Sequence, residues 1–341
     1  MSRQERPNYR EIVGWIGMDP EHMVHLLSAE AYSLQRLRRA RTLLSGIRGA
    51  TAPGMASFAL GSLGRLEASE LSDLDFAFLY DSEFVSQEQA ESQRGRSLDV
   101  LRKSFDIPEK TFRSAIDLRA LIRNVGGRHD SNDTLTYRAL LMTEGAWLHN
   151  EVMAKTMKHA LFSIYASGEK SRGKFLNTLA NDLHRYYRTL CVDYRFKVEE
   201  QEKTWAIRLL KLRHSRKLWH LANLVMQCHS SHAFVDSEAR DRDVLEKLDW
   251  PPLCRLALGM KYFSGESLCA PIFQAHERFW GALSSAVVRE ELAELPYCAR
   301  EESAIYLSLH ENAQRMDAAA AQVIEHLLGH CRDYLLRFCL L

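Results

Sequence analysis

GSLGRLEASELSDLDF, residues 61–76, is the stretch on which the fold turns. Ser57 to Leu60 (SFAL) runs into it as a short buried strand, and Leu74 to Tyr80 (LDFAFLY) leaves it as a second one, apolar and aromatic almost throughout. Two strands therefore bracket a glycine-containing turn and a short helix. Side chains two apart in a strand share a face, so Asp73 and Asp75 are expected to project together while Leu74 turns into the core. Two carboxylates on one side suit a hard divalent cation such as Mg²⁺, which keeps waters and substrate phosphates in the rest of its shell. The Gly61-Ser62 turn complements them, because free N–H groups at a helix start, with no Cβ at Gly61, can seat phosphate oxygens. Arg65, one turn on, adds a bidentate cation. Acids for the metals on one element and anion donors on the next are what a metal-bridged triphosphate requires.

Outward from this stretch, Met23, Leu26, Leu27, Ala31, Leu34, Leu37 and Leu44 recur at helical spacing, with Asp19 and Pro20 suited to the helix start. A breaker cluster from Gly46 to Gly54 ends that helix. Ser86 to Phe105 reads as a polar helix, and Thr111 to Ile122 (TFRSAIDLRALI) as a third strand followed by a helix. Beyond about residue 135 strand signals vanish. Helices are expected over 135–148, 151–166, 174–196, 203–229, 239–248, 272–294 and 301–338. The fold class is thus α+β: a short mixed sheet with helices over residues 1–135, followed by an all-α domain over 136–341.

The chain has 341 residues, with 45 basic against 44 acidic side chains and 46% apolar residues, which is ordinary globular composition. Its near-neutral charge argues against a general nucleic-acid coat. The first twenty residues lack the apolar core of a signal peptide, and no stretch is apolar enough to span a bilayer, so a cytoplasmic location without a membrane partner is expected. Seven scattered cysteines without CxxC spacing read as reduced thiols. No Walker A or GxGxxG motif is present.

The run resembles the signature of the DNA polymerase β-like nucleotidyltransferase superfamily, a GS or GG turn followed about ten residues later by an acid-x-acid pair. Its longer form, GSxGRxExxxxSDxD, is similar to the PII-uridylyltransferase branch and related nucleotidyltransferases, matched here by Gly61, Ser62, Gly64, Arg65, Glu67, Ser72, Asp73 and Asp75. The resemblance implies a minimal nucleotidyltransferase core and a helical domain that closes the nucleotide cleft. It implies a transfer of NMP from an NTP to a hydroxyl, with Asp73 and Asp75 holding two Mg²⁺ (or Mn²⁺) and Gly61, Ser62 and Arg65 holding phosphates. It also implies a third carboxylate on a later strand, expected at Asp117 with Asp99 and Asp106 as alternatives, and a lysine and a serine from the helical domain, expected at Lys211 and Ser215. The chain is too short for the HD and regulatory domains of a PII uridylyltransferase, so only the core chemistry carries over. The acceptor is open among a protein side chain, an RNA 3′ end, a small molecule such as an aminoglycoside and a second nucleotide, with protein or RNA favoured. A non-catalytic nucleotide-sensing or partner-binding regulator and a nucleotide second-messenger synthase are the alternatives.

Other features carry plainer readings. Arg208, Lys211 and Ser215 follow i, i+3, i+7 spacing among Trp205, Leu209, Leu212 and Trp219, which also describes a solvated basic face. Tyr186 and Tyr187 could stack on a base or edge the core. Arg36, Arg38, Arg39 and Arg41 form either an RNA-contacting or a solubilising face. Arg138 and Glu144 sit on a helix that could border the acceptor.

Overall fold

The computed structural model describes residues 6–47, 53–108, 112–166, 175–199 and 204–340. In chain order the helices and strands of the first half are Tyr9–Trp15 (α1), Val24–Ser45 (α2), Met55–Leu60 (β1), Gly61–Gly64 (α3), Asp75–Tyr80 (β2), Gln87–Leu101 (α4), Ile116–Asp117 (β3), Leu118–Arg123 (α5), Asn132–Glu144 (α6), Ala146–His149 (β4) and Glu151–Ala166 (α7). Helices follow: Asn177–Glu199 (α8), Trp205–Lys211 (α9), Lys217–Ala233 (α10), Ser237–Leu248 (α11), Pro252–Tyr262 (α12), Ala270–Leu283 (α13), Ala286–Glu294 (α14) and Ala304–Tyr334 (α15). The chain is a mixed α/β protein, with one small mixed sheet and many helices.

It divides into two compact units. The first comprises Ala29–Ser171 with Leu248–Pro251, and the second Met1–Ser28, Arg172–Lys247 and Pro252–Leu341. The sheet unit therefore runs past the boundary expected at residue 135. The reason is β4: it pairs antiparallel with β1, Phe58 opposite Trp147 and Ala59 opposite Ala146, so the sheet is complete only at His149. The expectation of an all-helical chain after residue 135 is corrected accordingly. The N-terminal residues are likewise grouped with the helices, where α1 packs on α12 and Pro7 accepts the Cys254 thiol at 3.5 Å.

The sheet order is β3-β2-β1-β4. β1 is buried along its whole length, and β2 is buried from Phe76 onward with Asp75 half-buried at its start. They pair antiparallel from Met55 opposite Tyr80 to Leu60 opposite Asp75. That register sets the start of β2 beside the end of β1, where the chain turns into α3. β3 runs parallel to β2 and meets its other end, Tyr80 opposite Asp117. α2 packs its arginines onto aromatic rings of the same unit: the Arg36 guanidinium lies 3.9 Å from the Phe105 ring centroid and that of Arg41 3.7 Å from Trp147. Two members of the arginine run are thus structural, while Arg38 and Arg39 stay exposed.

In the helical unit, α10 is buried from Leu221 to Ser231 and packs most closely on α12. Tyr186 and Trp219 meet edge to face at 5.2 Å, and Tyr187 stacks on His220 at 4.3 Å, so both tyrosines edge the core. Among the described residues no helix is long and apolar enough to cross a membrane.

Candidate functional site

At the start of β2 the burial alternates: Asp73 is exposed, Leu74 is 1% exposed and Asp75 is half-buried. This is the pattern of one core residue between two acids on the open side. Gly61 adopts φ +64°, in the left-handed region that favours glycine. A Cβ there would collide with the Asp75 carboxylate, so the turn closes directly onto that acid. Gly64 is needed for a different approach, since a Cβ would run into the backbone carbonyl of Glu144 at the end of α6. The loop between α3 and β2 is fixed at several points: Glu67 N–H donates to Ser62 O at 2.8 Å, Ala68 N–H to Ser33 Oγ of α2 at 2.9 Å, and Ser69 N–H to Ser72 Oγ at 3.0 Å.

Arg65 does not serve as the expected phosphate grip. It is 5% exposed, with Nε donating to Glu67 Oε2 at 2.8 Å and Nη1 lying 2.7 Å from Glu144 Oε1. Burial alone would lower its pKa, but the Glu144 and Glu67 carboxylates outweigh that and hold it above the ordinary arginine value. The guanidinium is consumed by two carboxylates that are themselves closed off from solvent, and it braces the turn. Glu144 also reaches the turn backbone, its Oε2 accepting the Gly61 N–H at 3.1 Å. Two of the three residues expected to hold phosphate, Gly61 through its N–H and Arg65, are thereby engaged within the protein, and Ser62, half-buried, holds the position between them. The Arg65–Glu67 pair is two residues apart and readable in the sequence, whereas Glu144 is 83 residues from Gly61 and only the fold brings it there.

Asp117 does not join Asp73 and Asp75. It pairs with Tyr80, five residues along β2 from Asp75, so at ~3.3 Å per residue it sits about 16 Å away at the opposite end of the strand. There Asp117 is the N-cap of α5, accepting Arg119 N–H at 3.0 Å and the Ser82 hydroxyl at 3.1 Å. The alternative acid Asp106 is the one whose chain reaches the pair: Leu74 N–H donates to Asp106 O at 2.8 Å. Arg36 secures the same segment from the other flank, donating to Ser104 O at 2.6 Å. Asp106 is exposed. Asp99 lies on α4.

Asp73 and Asp75 offer only hard oxygen donors, the chemistry Mg²⁺ takes. Among the described residues no three His, Cys, Asp or Glu side chains are grouped so as to hold a metal ion. The donor set fits an open site in which one or two carboxylates hold the cation and a phosphate substrate supplies the remainder.

Lys211 and Ser215 belong to the helical unit. Lys211 is exposed at the end of α9, whereas Ser215 is 4% exposed inside the π-helical turn Leu212–Arg216 that joins α9 to α10, so the hydroxyl is packed away rather than presented beside the lysine. Arg213 and Lys217 of the same basic run both pair with Asp317, Arg213 at 2.9 Å. Comparison with protein-family models, curated proteins and solved structures returns no match.

Proposed function

We propose that the protein is a Mg²⁺-dependent nucleotidyltransferase, moving NMP from an NTP to a hydroxyl of a protein or RNA acceptor and releasing pyrophosphate. The observation that carries this reading is the closure of the left-handed Gly61 turn onto the Asp75 carboxylate, which follows from Leu60 standing opposite Asp75 in the β1–β2 register. Asp73 and Asp75 would hold the metal, and Mn²⁺ would substitute. When bound, the metal supplies charge neutralisation to the triphosphate and a template for in-line attack. The protein's own part is positional. Ser62 and the turn backbone orient the β- and γ-phosphates, Arg65, Glu67 and Glu144 keep the turn rigid, and Asp106 takes the proton of the attacking hydroxyl in place of the excluded Asp117. Arg38 and Arg39, exposed on α2, favour an acidic protein or RNA acceptor.

The engagement of Gly61 N–H and Arg65 by Glu144 favours a second reading, a non-catalytic nucleotide-sensing regulator. Incubation with each α-labelled NTP and whole-cell extract separates the two. Transfer of label to a macromolecule with Mg²⁺, abolished by chelation and by Asp75→Asn, is the expected result. Nucleotide binding that ignores chelation, with no transfer from any NTP, gives the regulator.

A further inference from the structure

The helical unit holds a group of ionisable side chains for which nucleotidyl transfer has no use. A cavity of about 300 Å³ is lined by Phe234, Leu258 and Tyr262 together with His229, Asp243, Lys247 and Lys261. Lys247 is 4% exposed, an uncommon position for an ammonium. Its Nζ donates to Asp243 Oδ1 and to His229 Nδ1, the latter at 3.1 Å. Asp243 is held in turn by the Ser230 hydroxyl, which donates to Oδ2 at 2.6 Å. The Tyr262 ring stands edge-on to His229 at 4.7 Å, and exposed Lys261 lies with its Nζ 4.2 Å from the Trp15 ring centroid.

A lysine placed only to brace α10 against α11 would be sealed by apolar side chains. Here it borders open volume, with two proton acceptors already in contact. Burial first, and then the Lys247 charge, hold His229 down to about 4, so its imidazole is neutral and accepts from the amine. Burial also lowers the Lys247 pKa, against the opposing effect of Asp243.

We propose that Lys247 is a reactive amine that captures a small carbonyl compound carrying an anionic group, held as an imine in this cavity with Lys261 facing the anion. In the step, Nζ adds to the carbonyl carbon, forming the C–N bond as the C–O π bond breaks. One proton of the nitrogen passes through Asp243 or His229 to the oxygen, giving the carbinolamine, and the second nitrogen proton reaches the same oxygen by that route. That oxygen leaves as water when the nitrogen lone pair forms C=N. No oxidant or reductant is needed. The cavity is at the small end of ligand sites, so the ligand is a compact keto acid or acidic aldehyde rather than a nucleotide.

The test treats the full-length protein with glyoxylate and cyanoborohydride at neutral pH, then maps reduced adducts by peptide mass spectrometry, with acetaldehyde as the uncharged control. Lys247 is expected to be modified roughly tenfold faster than exposed lysines, as a desolvated amine beside proton acceptors should be. Asp243→Asn should slow both reagents, and Lys261→Ala should slow glyoxylate several-fold while leaving acetaldehyde unchanged. Labelling that simply follows exposure, with Lys247 intact in protein of unaltered circular dichroism, overturns the site. An equal effect of Lys261→Ala on both reagents overturns the anion recognition.

Discussion

The two ends of β2 both gather carboxylates, yet they treat them in opposite ways. At the far end, Arg119 donates through Nε and Nη2 to both oxygens of Asp81 at 2.7 Å each and meets Glu83 at 2.8 Å, while Asp117 caps α5. At the near end the one guanidinium of the turn, Arg65, is taken by Glu67 and Glu144, and among the described residues no salt bridge reaches Asp73 or Asp106. Acids that meet their cation inside the fold are structural. Asp73, exposed and outside any salt bridge among the described residues, leaves negative charge next to Asp75 for a cation from solution. The same strand therefore carries an ion-pair cluster at one end and, just before the other, an acid open to solvent.

The sharpest way to break this contrast is to neutralise one acid at each end. Asp75→Asn should lower nucleotidyl transfer by about a thousandfold or more, roughly 4 kcal/mol of lost transition-state stabilisation, whereas Asp117→Asn should leave the rate within about twofold. Initial rates with labelled NTP check both. Glu144→Gln comes next. It leaves Arg65 short of one buried counter-charge and weakens the hold on Gly61 N–H, so denaturant unfolding should show a loss of about 3–5 kcal/mol. Gly61→Ala should be milder for the fold, about 1–2 kcal/mol for the left-handed backbone, and should reduce transfer because the new Cβ presses on Asp75. The smallest effect belongs to the far end. Hydrogen bonding from Arg119 holds the Asp81 carboxyl below its ordinary value. A depressed carboxyl adds stability that is complete above the unfolded-state value and is lost as pH falls through the folded value. Asp81→Asn should therefore flatten the stability profile below about pH 4 by less than ~1 kcal/mol and change nothing in transfer at neutral pH.

How far the sequence reveals this depends on the range of the interactions involved. β1, the turn and β2 are legible because an apolar run, a glycine and alternating acids each impose a local geometry, and the long helix α2 is legible from its spacing. β4 is not: Ala146–His149 is four residues long with two of them half-buried, and it is a strand only because β1 offers an edge. Asp117 lies on a segment rightly read as a strand followed by a helix, but the register of a parallel crossover through α4 decides which end of β2 it meets, and no local pattern encodes that. The placement of Asp106 is hidden for the same reason, since a single backbone hydrogen bond to Leu74 brings it there. Arg65 shows the converse. Its residue type suits phosphate as well as carboxylate, and only burial beside Glu67 and Glu144 decides between them.

The most direct test of the contrast between the two ends is calorimetric binding of a non-hydrolysable NTP with and without Mg²⁺, in the wild type, Asp75→Asn and Asp117→Asn. The account predicts Mg²⁺-dependent binding in the wild type and Asp117→Asn that disappears in Asp75→Asn. Binding that survives Asp75→Asn, or that proceeds equally well in a chelator, would contradict it.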